Sequence, residues 1–221
     1  MNPAAYTASV EDYLKAIYEL SRATGSAATS EVAARLNVAP ASVSAMVRRL
    51  AEQGLVSHEP YGGLRLPKKG RAVALQLVRR HRVIEAYLVT ALGYSWDEVH
   101  AEAERLEHAA TPELVNRMAA AIGEPAVDPH GAPIPTAHGK LDEPRYRTLG
   151  DLAAGERAKI VGVEDEDPEL LRYLASLRFI PGAVVSCLKK DPYEGPLTIR
   201  VGSKTHVIGL PLAARVFVNA A

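Results

Sequence analysis

The chain has 221 residues, 48% of them hydrophobic and 24% charged, and its 26 basic side chains balance 26 acidic ones. That composition suits one large globular domain or two to three small ones and excludes wholesale disorder. No apolar run nears the ~18 residues of a membrane span, the first residues lack the basic start and apolar core of a secretion signal, and a lone cysteine, Cys187, cannot form an internal disulfide. A cytoplasmic protein is expected.

The neutral total hides a gradient. Residues 1–73 carry nine basic and six acidic side chains, residues 74–141 six and nine, and residues 142–221 eleven of each. Along the basic front, Tyr13, Ile17 and Leu20 share one face of a helix expected to begin near Ser9 or Val10. A short helix over Ser30–Leu36 follows, then a break at Asn37–Ala39. A third helix opens on Pro40, carries Val43, Met46, Val47 and Leu50 inward and ends at Gly54, with proline suited to a first helical position and glycine to a cap. Leu55–Glu59 and Leu64–Leu66 read as two strands around Tyr61-Gly62-Gly63.

In the acidic middle, the pattern predicts helices over Lys69–Leu92, Ser95–His108 and Pro112–Ile122. Glu124–Pro144, rich in Pro, Gly, His and Asp, reads as a linker or irregular connection. Five short β-type runs come next: Ala158–Val163, Val184–Leu188, Leu197–Val201, Thr205–Ile208 and Val216–Val218. With one helical insertion at Pro168–Leu177, they suggest a small barrel.

Helix, tight turn, helix and two-stranded wing over residues 30–66 make a winged helix-turn-helix, whose second helix enters the major groove of double-stranded DNA. Pro40, Ser42 and Ser44 would stand at its reading end, and Arg48, Arg49 and Arg65 would neutralise phosphate. No Gln, Asn or Arg opens that helix, so readout would lean on DNA shape and thymine methyls. The plainer alternative is a trihelical core with no nucleic-acid role.

A second constellation carries metal chemistry. His81 and Glu85 lie at i and i+4, while His100, Glu104, Glu107 and His108 fall at i, i+4, i+7 and i+8, a continuous stripe on one helix. Carboxylates this close repel unless a cation joins them, and facing helices of this kind build the usual all-helical metal site. The alternative is a solvated acidic face with incidental histidines. A zinc hydrolase would need His where Glu104 stands, and no separate base is apparent, so catalysis is not expected.

The segments Val10–Leu20, Arg80-His81-Arg82, Val99–Glu104, Leu106-Glu107-His108 and Asp128–Pro135 resemble the diphtheria toxin repressor family of metal-dependent transcriptional regulators. The tail from about Arg147 resembles the SH3-like barrel of its three-domain members. The resemblance implies a mainly α chain with a small β domain. Residues 1–73 would form the winged helix-turn-helix, 74–141 the helical dimerisation and metal-binding domain with its linker, and 142–221 the SH3-like domain.

It further implies two metal sites per subunit. Asp12, Glu104, Glu107 and His108 match the primary ligands, and His81, Glu85 and His100 the ancillary ones. The barrel would complete the ancillary set, with Glu164, Asp165 and Asp167 as candidate donors. Iron-type members carry a methionine and a cysteine where this chain has Asp12 and Glu104, and three carboxylates with one imidazole suit the harder Mn²⁺, with Fe²⁺ as the alternative. Manganese-type members have a glutamate where this chain has Lys15, which speaks against their close two-metal arrangement.

The function implied is a non-enzymatic, homodimeric repressor of metal uptake with Mn²⁺ as co-repressor. It would act on a palindromic operator, with no membrane and no small-molecule substrate. Its dimer surface would draw on Val89, Leu92, Leu114 and Met118, unless these are core. Trp96 and Cys187 read as packing residues, and His58, His130, His138 and His206 as structural or solvated.

Overall fold

The computed structural model describes residues 6–59, 62–142, 144–164 and 167–220. The chain divides into two compact units: residues up to His81 with Glu107–Pro112 and Pro135–Leu141, and Arg82–Leu106 with Glu113–Ile134 and residues from Asp142 onward. The expected boundary at residue 73 falls inside one uninterrupted helix, Lys68–Leu92.

The first unit begins with α1 (Ala8–Thr24), started by Thr7, whose hydroxyl accepts from the Val10 N–H, and stopped by Gly25 in the left-handed region at φ 80°. α2 (Thr29–Arg35) and α3 (Pro40–Glu52) follow, with Pro40 in the first turn and the chain leaving α3 through Gly54 at φ 67°. β1 (Ser57–Glu59) and β2 (Gly63–Arg65) pair antiparallel with His58 opposite Leu64. Residues 60 and 61, which include the expected turn residue Tyr61, lie outside the described residues.

One core joins these elements. Val10, Leu14, Ile17 and Tyr18 of α1 pack with Val32 of α2, Val43, Val47 and Leu50 of α3, Leu64 of the wing and Ala74, Leu75 and Val78 of α4 (Lys68–Leu92). Several of them are fully buried, and burial contributes about 1.5–3 kcal/mol for each large apolar side chain. Gly70 lets α4 approach the segment between α3 and β1, because a Cβ there would stand 1.9 Å from the Leu55 carbonyl oxygen.

In the second unit, α5 (Val99–Leu106) is shorter than the pattern predicted, and α6 covers Pro112–Ala121. The expected five strands are six: β3 (Arg147–Thr148), β4 (Arg157–Val163), β5 (Val184–Lys190), β6 (Leu197–Val201), β7 (Lys204–Ile208) and β8 (Val216–Ala220). They form one antiparallel sheet in the order β3-β8-β4-β5-β6-β7. β3 went unread because two residues are too short to show alternation.

Register shifts between Ile160 and Gly162 and between Cys187 and Lys189 mark bulges that bend this sheet. α7 (Pro168–Ser176) is the expected insertion, and a short α8 (Leu210–Ala213) precedes β8. Ile160, Leu171, Leu174, Phe179, Cys187 and Ile199 sit in its core. Burial raises the Cys187 thiol pKa above its ordinary value, so it packs as a small apolar group. Among the described residues, no helix is long and apolar enough to cross a membrane.

Candidate metal centres and nucleic-acid face

The outward face of α3 holds Pro40, Ser42, Ser44, Arg48 and Arg49, all exposed, while Val43, Val47 and Leu50 face the core. Arg65 is exposed on the wing. The Ser44 hydroxyl donates back to the Pro40 carbonyl at 3.1 Å, so it presents acceptor lone pairs outward rather than a donor. The serine row is therefore poorer in donors than the sequence suggests.

α5 ends at Leu106, and Glu107 and His108 lie in the turn that follows it. The turn belongs to the first unit. There Asp12, in the first turns of α1, meets Glu107 and His108, with one ligand atom from each within 4.8 Å of the others. Ligand distances of about 2.0–2.4 Å let one divalent ion span such a set.

Hydrogen bonds orient each member of this cluster. His108 Nδ1 lies 2.8 Å from Glu11 Oε2, and its Nε2 lies 2.9 Å from Asp12 Oδ1 and 3.7 Å from Glu107 Oε1. Glu11 in turn accepts from the Arg80 guanidinium, whose other nitrogen donates to the Glu107 carbonyl at 3.2 Å. A carboxylate on Nδ1 sets the tautomer that leaves Nε2 able to ligate. With both ring nitrogens facing carboxylates, either a proton or a cation must lie between Nε2 and Asp12.

Glu107 has no exposed side-chain surface. Lys15 donates to both of its oxygens at 3.0 Å, and His81 Nδ1 lies 2.6 Å from Oε2. The donor set of two carboxylates and one imidazole therefore fits a hard divalent cation.

The second unit holds another set, Glu85, Asp128 and His130, all three buried and within ligating distance of one another. Asp128 Oδ1 accepts from the N–H groups of His130 and Ala132, both at 2.9 Å, closing a turn. His130 Nε2 donates to the Trp96 carbonyl at 2.7 Å, and the two rings stack with centroids 5.7 Å apart. The His130 Nδ1 lies 4.0 Å from Glu85 Oε2. Two carboxylates and an imidazole whose ligand atoms lie this close could hold a cation.

Gly131, at φ 92°, lets this turn reach β4, since a Cβ would stand 1.9 Å from the Val161 carbonyl oxygen. The Val163 N–H accordingly donates to the His130 carbonyl at 2.9 Å.

Of the seven residues implied as ligands, Asp12, Glu107 and His108 come together within the first unit. Glu104 stays in the second unit, where it lies 3.8 Å from His100, which itself lies 3.2 Å from Glu85. Glu164 pairs with Arg215 at 3.5 Å, and Asp167 caps α7 by accepting from Glu169 and Leu170 N–H groups. Asp165 lies outside the described residues.

Sequence reasoning passed over Glu11, and it read His130 as structural or solvated. Glu11 sits 97 residues from its partner His108, a separation no local pattern reveals. The Asp128-Pro129-His130-Gly131 run stood inside a composition that reads as linker. Its one local signal was an aspartate two residues before the histidine, the spacing of a side-chain-closed turn.

Three family profiles match in chain order. They are "Iron dependent repressor, N-terminal DNA binding domain" over residues 5–64, "Iron dependent repressor, metal binding and dimerisation domain" over 68–136, and "FeoA domain" over 147–220.

The diphtheria toxin repressor of Corynebacterium efficiens is 33% identical over 191 residues, which cover 82% of this chain and 83% of that protein. The iron-dependent repressor IdeR of Mycobacterium tuberculosis is 37% identical over 125 residues, and the match spans only 54% of IdeR's length and 57% of this chain. A solved "Manganese-dependent transcriptional repressor complex with manganese" superposes with a TM-score of 0.88 at 38% identity, over 96% of this chain and all of that one.

Matched from the winged helix through the C-terminal sheet, the chain belongs to the diphtheria toxin repressor family of metal-dependent transcriptional regulators.

Proposed function

We propose that this protein is a cytoplasmic, homodimeric DNA-binding repressor of metal-uptake genes that responds to Mn²⁺. One observation carries this reading: the Asp12/Glu107/His108 cluster lies in the same compact unit as the DNA-reading helix, and α1 serves both. Asp12 reaches the cluster from the helix whose Val10, Leu14 and Ile17 share a core with Val43, Val47 and Leu50 of α3.

A divalent cation held by Asp12, Glu107 and His108 would supply the positive charge that offsets their repulsion. Asp12 then fixes α1 against the 107–108 turn, and the shared core passes that restraint to α3. In a dimer, restrained reading helices can match successive major grooves about 34 Å apart. Leu92 and Leu114, 58% and 46% exposed, are apolar surface suited to a second copy.

The two carboxylates and one imidazole favour a hard ion over one that prefers sulfur, hence Mn²⁺, with Fe²⁺ its neighbour in affinity. Glu85, Asp128 and His130 provide a second, buried site. Glu104 lies beside His100 in the second unit, so three residues would hold the first ion. The reading is one of binding rather than catalysis.

The test is fluorescence anisotropy of operator DNA titrated with chelated, Mn²⁺-loaded and anaerobic Fe²⁺-loaded protein, for the wild type and His108→Ala. Tight binding with Mn²⁺ that is absent with chelator and lost in the variant is the expected result. A stronger response to Fe²⁺ would reassign the ion. Equal binding in all states would overturn metal gating.

A further inference from the structure

The C-terminal part of the second unit separates its charges. Residues 142–221 carry eleven basic and eleven acidic side chains, yet strands β4 to β8 hold six of the basic ones (Arg157, Lys159, Lys189, Lys190, Arg200 and Lys204) and no Asp or Glu. The acids that flank β4 are already taken, Glu156 by Arg147 and Glu164 by Arg215.

Strand alternation sorts these cations. Ala158 and Ile160 of β4, Cys187 of β5 and Ile199 of β6 belong to the core, so Arg157, Lys159, Ser186 and Arg200 stand on the opposite face of the sheet. The register then lines them up. Arg157 pairs with Ser186, Ser186 with Arg200 and Arg200 with Thr205, one row across β4, β5, β6 and β7. Lys159 stands two residues along β4 on the same face, and it is exposed, as are Arg157, Arg200 and Thr205. Among the described residues, none of Arg157, Lys159 and Arg200 is in an ion pair, whereas Lys189 is held by Asp191 at 2.7 Å.

Neighbouring strands lie about 4.8 Å apart, so the backbones at Arg157 and Arg200 are about 10 Å from each other, with a small hydroxyl side chain between them. Like charges gathered on one face repel, and an anion laid across them relieves that repulsion. Guanidinium, ammonium and hydroxyl groups are the side chains that contact phosphate oxygens. No aromatic ring stands in the row to stack the bases of a single strand, so the chemistry is that of a duplex backbone. Because the chain carries its own DNA-reading unit, this face meets duplex DNA as an intramolecular event, where even a weak contact adds to affinity.

We propose that this face of the C-terminal sheet, through Arg157, Lys159 and Arg200, is a second DNA contact that holds the phosphate backbone of the duplex read by the winged helix. The proposal rests on the DNA-binding reading above and does not depend on which ion activates it. Phosphate contacts carry no sequence information, so the face adds affinity and salt dependence rather than choice of operator.

The experiment titrates a labelled operator duplex, and a scrambled duplex of equal length, with Mn²⁺-loaded full-length protein at several salt concentrations. Wild type is compared with the triple variant Arg157→Gln/Lys159→Gln/Arg200→Gln. A control, Arg172→Gln/Arg178→Gln/Arg215→Gln, removes three exposed cations of the same unit that lie outside the row. Circular dichroism checks that each protein is folded. Loss of the row should flatten the slope of log affinity against log salt by about 0.9 for each phosphate contact, up to about 2.7 in all. It should weaken binding to both duplexes alike, while the control keeps the wild-type slope.

An unchanged slope in the folded triple variant would overturn the proposal. So would an equal loss in the control, which would trace the effect to net charge. An unchanged slope joined to lost pelleting on phosphatidylserine vesicles would overturn it in favour of an anionic membrane surface. If the triple variant does not fold, Arg200→Gln alone takes its place, with an expected slope change of about 0.9 and the same overturning result. Wild-type protein that binds neither duplex would overturn the DNA-binding reading itself, a result separate from any difference among the variants.

Discussion

The two clusters of acidic and imidazole groups are built on different principles. In the first unit, Asp12 and His108 keep 38% and 22% of their side-chain surface open, and Lys15 and Arg80 bring permanent positive charge to Glu107 and Glu11. In the second, Glu85 and His130 have no exposed side-chain surface. The guanidinium of Arg82 stands 3.6 Å from Asp128, and His100 stands 3.2 Å from Glu85. An accessible cluster already balanced by cations can exchange an ion with solution and stay folded without it. A buried one suits an ion that stays.

The sharpest way to break that contrast is to remove Glu107. Glu107→Ala leaves the Lys15 ammonium buried without its carboxylate, and breaking a buried pair in this manner costs about 3–5 kcal/mol. Urea unfolding in chelator should show a loss of that size even with no metal present. A loss under about 1 kcal/mol would mean that the cations do not stabilise the metal-free cluster in the way the contrast requires.

A smaller effect sharpens the first cluster alone. Glu11 accepts from His108 Nδ1 and thereby aims Nε2 at Asp12. Glu11→Ala should weaken Mn²⁺ binding by roughly 10–100-fold, the usual cost of losing such an orienting partner. Isothermal titration should show the stoichiometry of the second cluster unchanged. Equal weakening of both sites would point to a general loss of structure.

The smallest effect lies outside both clusters. The Arg147 guanidinium holds the Glu156 carboxyl at a pKa of about 2, helped by the Ala153 N–H, against an ordinary 4.5. A carboxylate lowered on folding stabilises the folded state above its unfolded pKa, and that contribution is lost as pH falls through the folded value. Glu156→Gln should therefore lower the melting temperature slightly at pH 7, and the difference from wild type should shrink between about pH 4.5 and pH 2. A difference that stays constant over that range would mean that Arg147 does not hold the carboxylate.

Much of the fold was legible because it is written locally. Pro40 and Gly54 bracket a helix whose Val43, Val47 and Leu50 repeat every three to four residues, and the structure buries those three. The strands after Arg157 announce themselves by β-branched runs between glycines and prolines. The 107–108 turn was not legible in the same way. The residues from Val99 to His108 keep helical spacing throughout, yet the helix stops at Leu106, and the Glu107 carboxylate in the turn after it is buried against Lys15 and His81.

By itself the sequence determined which segments are helix or strand, that a winged helix-turn-helix is present, and that carboxylates and imidazoles are enriched in the middle of the chain. Those properties depend on neighbours within a few positions, where backbone preference and apolar period act. Only the tertiary structure decided which of those side chains lie together. It set Lys15 against Glu107 across 92 residues, Glu11 against His108 across 97, and Glu85 near His130 in a turn that reads as linker. Such pairings depend on how helices pack and where they end, and spacing along the chain does not encode them.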